Sequence, residues 1–149
     1  MAHEFVKQDA KLTIVGQLYD ISILHGDIET EDSFDTPIIT SLFTEARAHR
    51  DEVVTPERRR GWIGSHNSSF ILGSTMWVYG QLRNRQVELN ELAGVARLAL
   101  DHFKEDGRAI NVSSSIAVEG NLARLSIRIE RPNNRVDYRY YELWENTGV

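Results

Sequence analysis

Glu29, Glu31, Asp32 and Asp35 fall within seven residues of one another. Glycoside hydrolysis needs two carboxylates about 5–9.5 Å apart, one of them kept protonated. The same acids precede an apolar pattern of helical period, where carboxylates suit a helix N-terminus and water, and a solvated acidic loop is the stronger reading. Arg58-Arg59-Arg60-Gly61-Trp62 sets three guanidiniums beside an indole. Such a group can hold phosphates and stack on bases. It can equally bind acidic groups of a neighbouring protein around an aromatic anchor, which is the preferred reading here. Tyr138, Tyr140, Tyr141 and Trp144 put aromatics on both faces of a terminal strand. One face then suits the chain's own helices and the other a partner, and a terminal strand is often an edge that pairs with another chain.

Other chemistries find no pattern. His3, His25, His49, His66 and His102 lack the i, i+2 or i, i+4 spacing of a metal site, and there is no cysteine to supply thiolates or disulfides. Ser68-Ser69 and Ser113-Ser114-Ser115 lack the elbow context of a nucleophilic serine. The glycines match neither a phosphate loop nor a dinucleotide fingerprint. Neither a cofactor nor a metal is expected.

The elements that position these residues follow from periodicity. Residues 12–24 alternate in the manner of one or two strands, split at Gly16-Gln17. Thr36-Pro37 after Asp35 signals a helix start, and Ile38, Ile39, Leu42, Phe43 and Ala46 carry the helix to about His49. Residues 51–67 read as a long loop. Ser68 or Ser69 caps an expected second helix with Ile71, Leu72, Met76, Tyr79 and Leu82 as its stripe. A third begins near Val87 or Asn90, runs through Leu89, Leu92, Val95, Ala96, Ala99 and Phe103, and stops at Asp106-Gly107. The second and third are expected to pack antiparallel. From Ala109 the period becomes two: Ile110, Val112, Ser114, Ile116 and Val118 share a face, a turn at Glu119-Gly120-Asn121 leads to Leu125, Ile127 and Ile129, and a second turn at Pro132 leads to a strand from Val136 to Trp144. The expected fold is α+β: three main helices packed on a C-terminal three-stranded antiparallel meander, with one or two N-terminal strands.

The 149 residues fit one domain, 1–149, with residues 1–11 as a flexible N-terminal arm. The formal charge of −5 argues against coating of nucleic acid, and 41% hydrophobic with 26% charged residues is the balance of a soluble globular chain. The uncharged stretch 61–82 is broken by serines, an asparagine and glycines, so no membrane span is expected. The first nine residues hold no apolar signal core, which implies synthesis in the cytoplasm.

The run Asp35-Thr36-Pro37-Ile38-Ile39-Thr40-Ser41-Leu42-Phe43-Thr44-Glu45-Ala46-Arg47-Ala48, then Arg59-Arg60-Gly61-Trp62, then Ala96-Arg97-Leu98-Ala99-Leu100 leading to Asp106-Gly107, and the closing Leu143-Trp144 resemble the small baseplate wedge protein of Mu-like contractile-tailed phages over about residues 18–144. That family is similar to the lysozyme-like baseplate wedge, or sheath-initiator, proteins. Two departures stand out: Ile63-Gly64-Ser65 follows Trp62 in place of a second tryptophan and an acid, and Asp106-Gly107-Arg108 replaces a Glu-Pro-Arg signature. The resemblance implies a non-enzymatic wedge component of a virion tail baseplate, assembled in the host cytoplasm. It further implies copies in a six-fold ring that contact larger wedge proteins, the tail sheath and the central tube or hub, with no nucleic acid and no membrane. The partner-binding residues expected are Arg58, Arg59, Arg60, Trp62, Tyr138, Tyr140, Tyr141 and Trp144. A peptidoglycan hydrolase using the acid cluster is the enzymatic alternative, and a nucleic-acid module using Arg58 to Arg60 a further one.

Overall fold

The computed structural model describes residues 9–15, 18–31, 33–53, 55–67, 71–79 and 86–145. Six short strands open the chain: β1 (Asp9–Ala10), β2 (Leu12–Val15), β3 (Leu18–Ile21), β4 (Ile23–Leu24), β5 (Asp27–Ile28) and β6 (Thr30–Glu31). They pair as β1 with β6, β2 with β3 and β4 with β5, all antiparallel. The result is a stem that forks into two hairpins. At the fork three amides close a ring: Lys11 N–H donates to the Glu29 carbonyl (2.7 Å), Glu29 N–H to that of Ser22 (2.9 Å), and Ser22 N–H to that of Lys11 (2.9 Å). Side chains repeat the connection, because the Glu29 carboxylate accepts from Lys11 Nζ (2.9 Å) and from the Ser22 hydroxyl (2.8 Å). The stem is fastened to the body where the Thr36 hydroxyl donates to the Ala10 carbonyl at 2.7 Å.

Helix α1 (Asp35–Phe43) begins with Pro37 in its first turn and buries Ile38 and Leu42, four residues apart on one stripe. It ends where Thr44 turns extended. Helix α2 (Gln86–Ala99) buries Leu89, Leu92 and Ala96, and the single turn α3 (His102–Glu105) adds Phe103 before Gly107, at φ +73°, ends the helical path. Phe34, just before α1, packs edge-on against Phe103 with ring centres 5.0 Å apart.

The C-terminal sheet has the order β7 (Asn111–Glu119), β8 (Leu122–Glu130), β9 (Val136–Glu145), antiparallel throughout. Central β8 alternates without exception: Ala123, Leu125, Ile127 and Ile129 are buried and the residues between them are not. Those four meet Val112, Ile116, α1, α2 and Phe103 in one core. Each fully buried Leu, Ile or Phe side chain there contributes about 1.5–3 kcal/mol. The Ser114 hydroxyl donates to the Ala93 carbonyl (2.5 Å), tying β7 under α2. Arg139 of β9 pairs with Asp35 at the start of α1, which ties the edge strand to the other helix. Opposite β8, Arg124 faces Glu142 and Ala123 faces Trp144, so Leu143 is an extra residue and the strand bulges there.

The expectation of three main helices on a C-terminal meander, with one or two N-terminal strands, is therefore corrected. The described residues hold two helices of more than one turn, and their strands fall into four small sheets. The expected second helix does not form over its described part, while its caps Ser68 and Ser69 and its last stripe residue Leu82 lie outside the described residues. Gly73 takes φ +106°, and the backbone of Ser74 is claimed by tertiary bonds, donating to the Thr44 carbonyl (2.9 Å) and accepting from Ala46 N–H (3.0 Å). Gly, Ser and Thr in succession are poor helix formers and this parallel bridge outbids them. Only a 3-10 turn, Met76–Tyr79, remains. Over the described residues 71–79 the expected antiparallel partner of α2 is therefore missing. The first helix likewise stops at Phe43 rather than near His49, because residues 44–48 run extended to make the bridge. At the N-terminus, Thr30–Glu31 is a strand where a solvated acidic loop was expected, and Asp27–Ile28 is a strand beyond the expected end at residue 24. The expected split at Gly16-Gln17 lies outside the described residues.

Candidate docking surfaces

Residues 44–48 are the rail on which the arginine loop is mounted. Ala48 N–H donates to the Arg59 carbonyl (3.0 Å) and Arg59 Nε donates back to the Ala48 carbonyl (2.6 Å), so Arg59 spends its guanidinium on the backbone. Arg60, at φ +51°, pairs with Glu45 (2.5 Å) and lies over the Trp77 ring, 4.8 Å from its centre. The Trp77 indole N–H in turn donates to the Ala46 carbonyl at 2.8 Å. Arg58, at the end of the 3-10 turn Pro56–Arg58, is exposed. Trp62 is 47% exposed, and its ring lies so close over Gly64 that a Cβ there would come within 2.2 Å of it. Of the four loop residues expected to bind a partner, Arg58 and Trp62 face outward, whereas Arg59 and Arg60 first build the loop.

On β9 the register sorts the aromatics. Tyr141 stands opposite buried Leu125 and packs edge-on against Phe43, ring centres 5.6 Å apart. Burial and the nearby Asp35 carboxylate push its hydroxyl well above the usual tyrosine range. Tyr138 and Tyr140 stand opposite Arg128 and Ser126 on the other face, 52% and 62% exposed. With Ser113, Ser115, Ser126 and Arg128 they line a shallow hollow of about 360 Å³. Arg128 is held there by Glu130 and Tyr138, which strengthen its hold on its proton. Trp144 pairs through its backbone with Ala123, and its side chain lies outside the described residues. The far edge of β9 carries no strand among the described residues.

Two features escaped sequence reasoning. An apolar groove of about 200 Å³ runs between the end of α1 and the end of β9, lined by Phe43, Met76, Trp77, Tyr79, Leu92 and Leu143. The uncharged run from Gly61 to Leu82 was its only sequence signal. The second is the forked ribbon, whose Ile14, Leu18 and Ile23 are each at least two-thirds exposed.

Among its described residues the acid cluster takes no catalytic form. Lys11 and the Ser22 hydroxyl hold Glu29 below the usual carboxylate range, the reverse of what a general acid needs. Asp35 is occupied by Arg139 and by the Ser33 hydroxyl (3.1 Å), Glu31 stands opposite Asp9 in the stem, and Asp32 lies outside the described residues.

A family model described as Phage protein GP46 matches residues 34–136. The chain is also 32% identical over 114 residues to "Baseplate protein gp46" of Escherichia phage Mu, an alignment that takes in 74% of this chain and 78% of that protein.

Proposed function

The chain belongs to the Phage protein GP46 family, and from that premise we propose how its surfaces serve a tail baseplate. It is a structural baseplate protein of the Mu-like phage type, located in the virion tail baseplate, and it works by assembly with other baseplate or tail proteins. The finer reading is ours: a non-enzymatic wedge component, present in a six-fold ring around the central tube or hub, that contacts larger wedge proteins and starts the sheath. The whole chain acts as one domain in this reading.

The observation that carries it is the open edge of β9 with Tyr138 and Tyr140 standing clear of the sheet face. An extended arm of a sheath subunit can add to such an edge through backbone hydrogen bonds, which follow a strand through rearrangement more readily than a fitted side-chain pocket does. Arg58 and Trp62 form a second contact, for a wedge protein, with Arg59 and Arg60 holding that loop in place. Trp144 belongs with the strand contact.

Lysines on an edge strand block pairing. Tyr138→Lys/Tyr140→Lys alters only outward-facing residues, so the protein is expected to fold and to enter baseplates, while electron microscopy finds tails without attached sheath. Normal sheaths on that variant would sink the strand contact. Deleting the gene is expected to leave tails without a baseplate or sheath; complete tails that merely penetrate poorly would favour wall hydrolysis instead.

A further inference from the structure

The forked ribbon of residues 9–31 adds nothing to the hydrophobic core, whose first member is Phe34. It also precedes the region shared with the family, which starts at residue 34. Yet it is rich in large apolar side chains, and its register sorts them onto the hairpin faces, with Val15, Leu18 and Leu24 on the faces that carry Asp20 and Asp27. Leu12 faces Ile21 and Ile14 faces Tyr19, all on one face of the β2–β3 hairpin, and Ile23 faces Ile28 on the second hairpin. Ile14 and Ile23 are 68% and 69% exposed, and Tyr19, Ile21 and Ile28 about half. Two-stranded hairpins are marginal in water unless a face is covered, and monomeric proteins rarely leave large apolar patches bare.

The charges decide what covers it. Residues 9–31 hold five carboxylates and one lysine. The lysine, Lys11, is already paired with Glu29. Asp20 and Asp27 sit on the two hairpins, exposed, each accepting from the next residue's own N–H at 2.8 Å; by alternation they point to the opposite face of their hairpins from Ile21 and Ile28. An anionic lipid headgroup or a nucleic-acid backbone is repelled by a ribbon of this charge. So is a second copy of this acidic ribbon.

We infer that the apolar face of the forked ribbon docks into an apolar groove rimmed by lysine or arginine on a different protein of the baseplate. This rests on the baseplate reading above and names a contact separate from the β9 edge. Burial of the isoleucines supplies the affinity, and Asp20 and Asp27 fix orientation and reject acidic competitors.

The test uses the full-length protein in assembled particles. A photo-crosslinking benzoylphenylalanine replaces Tyr19, and the linked peptide is sequenced by mass spectrometry. A link to another baseplate protein, at apolar residues flanked by Lys or Arg, is the expected result. In parallel, Ile14→Ser/Ile23→Ser and Asp20→Lys/Asp27→Lys are each expected to lower incorporation into baseplates at least tenfold while the melting temperature stays near the parent's. A link to a second copy or to a peptide without basic residues, no link at all, or unchanged incorporation of both variants overturns the inference. Those outcomes leave the baseplate reading standing; wild-type protein missing from purified baseplates would sink both.

Discussion

At Gly73 the backbone has φ +106°, and a Cβ added there would come within 2.3 Å of the Thr44 carbonyl oxygen. Both the backbone conformation and the close approach demand glycine. Gly73→Ala is therefore expected to cost about 2–3 kcal/mol and to lower the melting temperature by roughly 5–10 °C in a calorimetric scan. His102 makes a second prediction. Its Nδ1–H donates to the Ala99 carbonyl (3.1 Å), its ring lies 4.3 Å from that of Phe103, and burial holds its pKa below the usual 6.5. Asp106 and Glu105 oppose that shift and Arg108 adds to it. Below 6.5 the unfolded chain takes up the proton more readily than the folded one, so stability falls as the pH drops from 7 toward 5. His102→Gln is expected to flatten that fall, read as melting temperature against pH. Glu29, held low, loses its contribution only at more acid pH than this window.

At the scale of elements, β8 is the strand on which the body depends, having a partner on each side and a fully buried inner face. Leu125→Ala is expected to cost about 2–5 kcal/mol in a denaturant titration, whereas Tyr140→Ala on the outer face of β9 stays within about 0.5 kcal/mol. The contrast between these two sites was legible in the sequence, since strict alternation from Arg124 to Glu130 is a local pattern that the sheet reproduces residue for residue. Helical periodicity in residues 71–79 was just as visible and misled, because the Ser74 bridge to residues 44–46 joins segments thirty residues apart and no local rule reports it. The arginines show the same limit. Their clustering was plain, but the engagement of Arg59 by Ala48 and of Arg60 by Glu45 depends on how the loop folds back. Tyr141 was legible as an aromatic and not as an inward one, because the side it takes follows from its pairing with Leu125.

For the whole molecule, the separation of ribbon from core makes a prediction of its own. Every residue of the core cluster lies between Phe34 and Ile129. A chain starting at residue 32 therefore keeps its core and loses the bond from Thr36 to Ala10 together with the approach of Tyr19 to Tyr141. Loss of one such hydrogen bond costs about 0.5–1.5 kcal/mol. The truncated protein is expected to unfold in one cooperative step, with a melting temperature only a few degrees below the parent's. A broad, non-cooperative transition would show that the ribbon is part of the folding unit. Its acidic, apolar surface then counts as equipment for assembly carried by a domain that is stable without it.

The ring of amides at Lys11, Ser22 and Glu29 bears on how this appendage can change over generations. Each of the three residues donates to one neighbour and accepts from the other, so a single inserted or deleted residue beside any of them breaks the closure for all three ladders at once. A hairpin tip such as His25-Gly26 is where an insertion is expected to be tolerated, because both residues already have positive φ and Gly26 has open space around it. Lengthening the β4–β5 prong would therefore change its reach while leaving the fork intact, as a handle keeps its socket when the blade is exchanged.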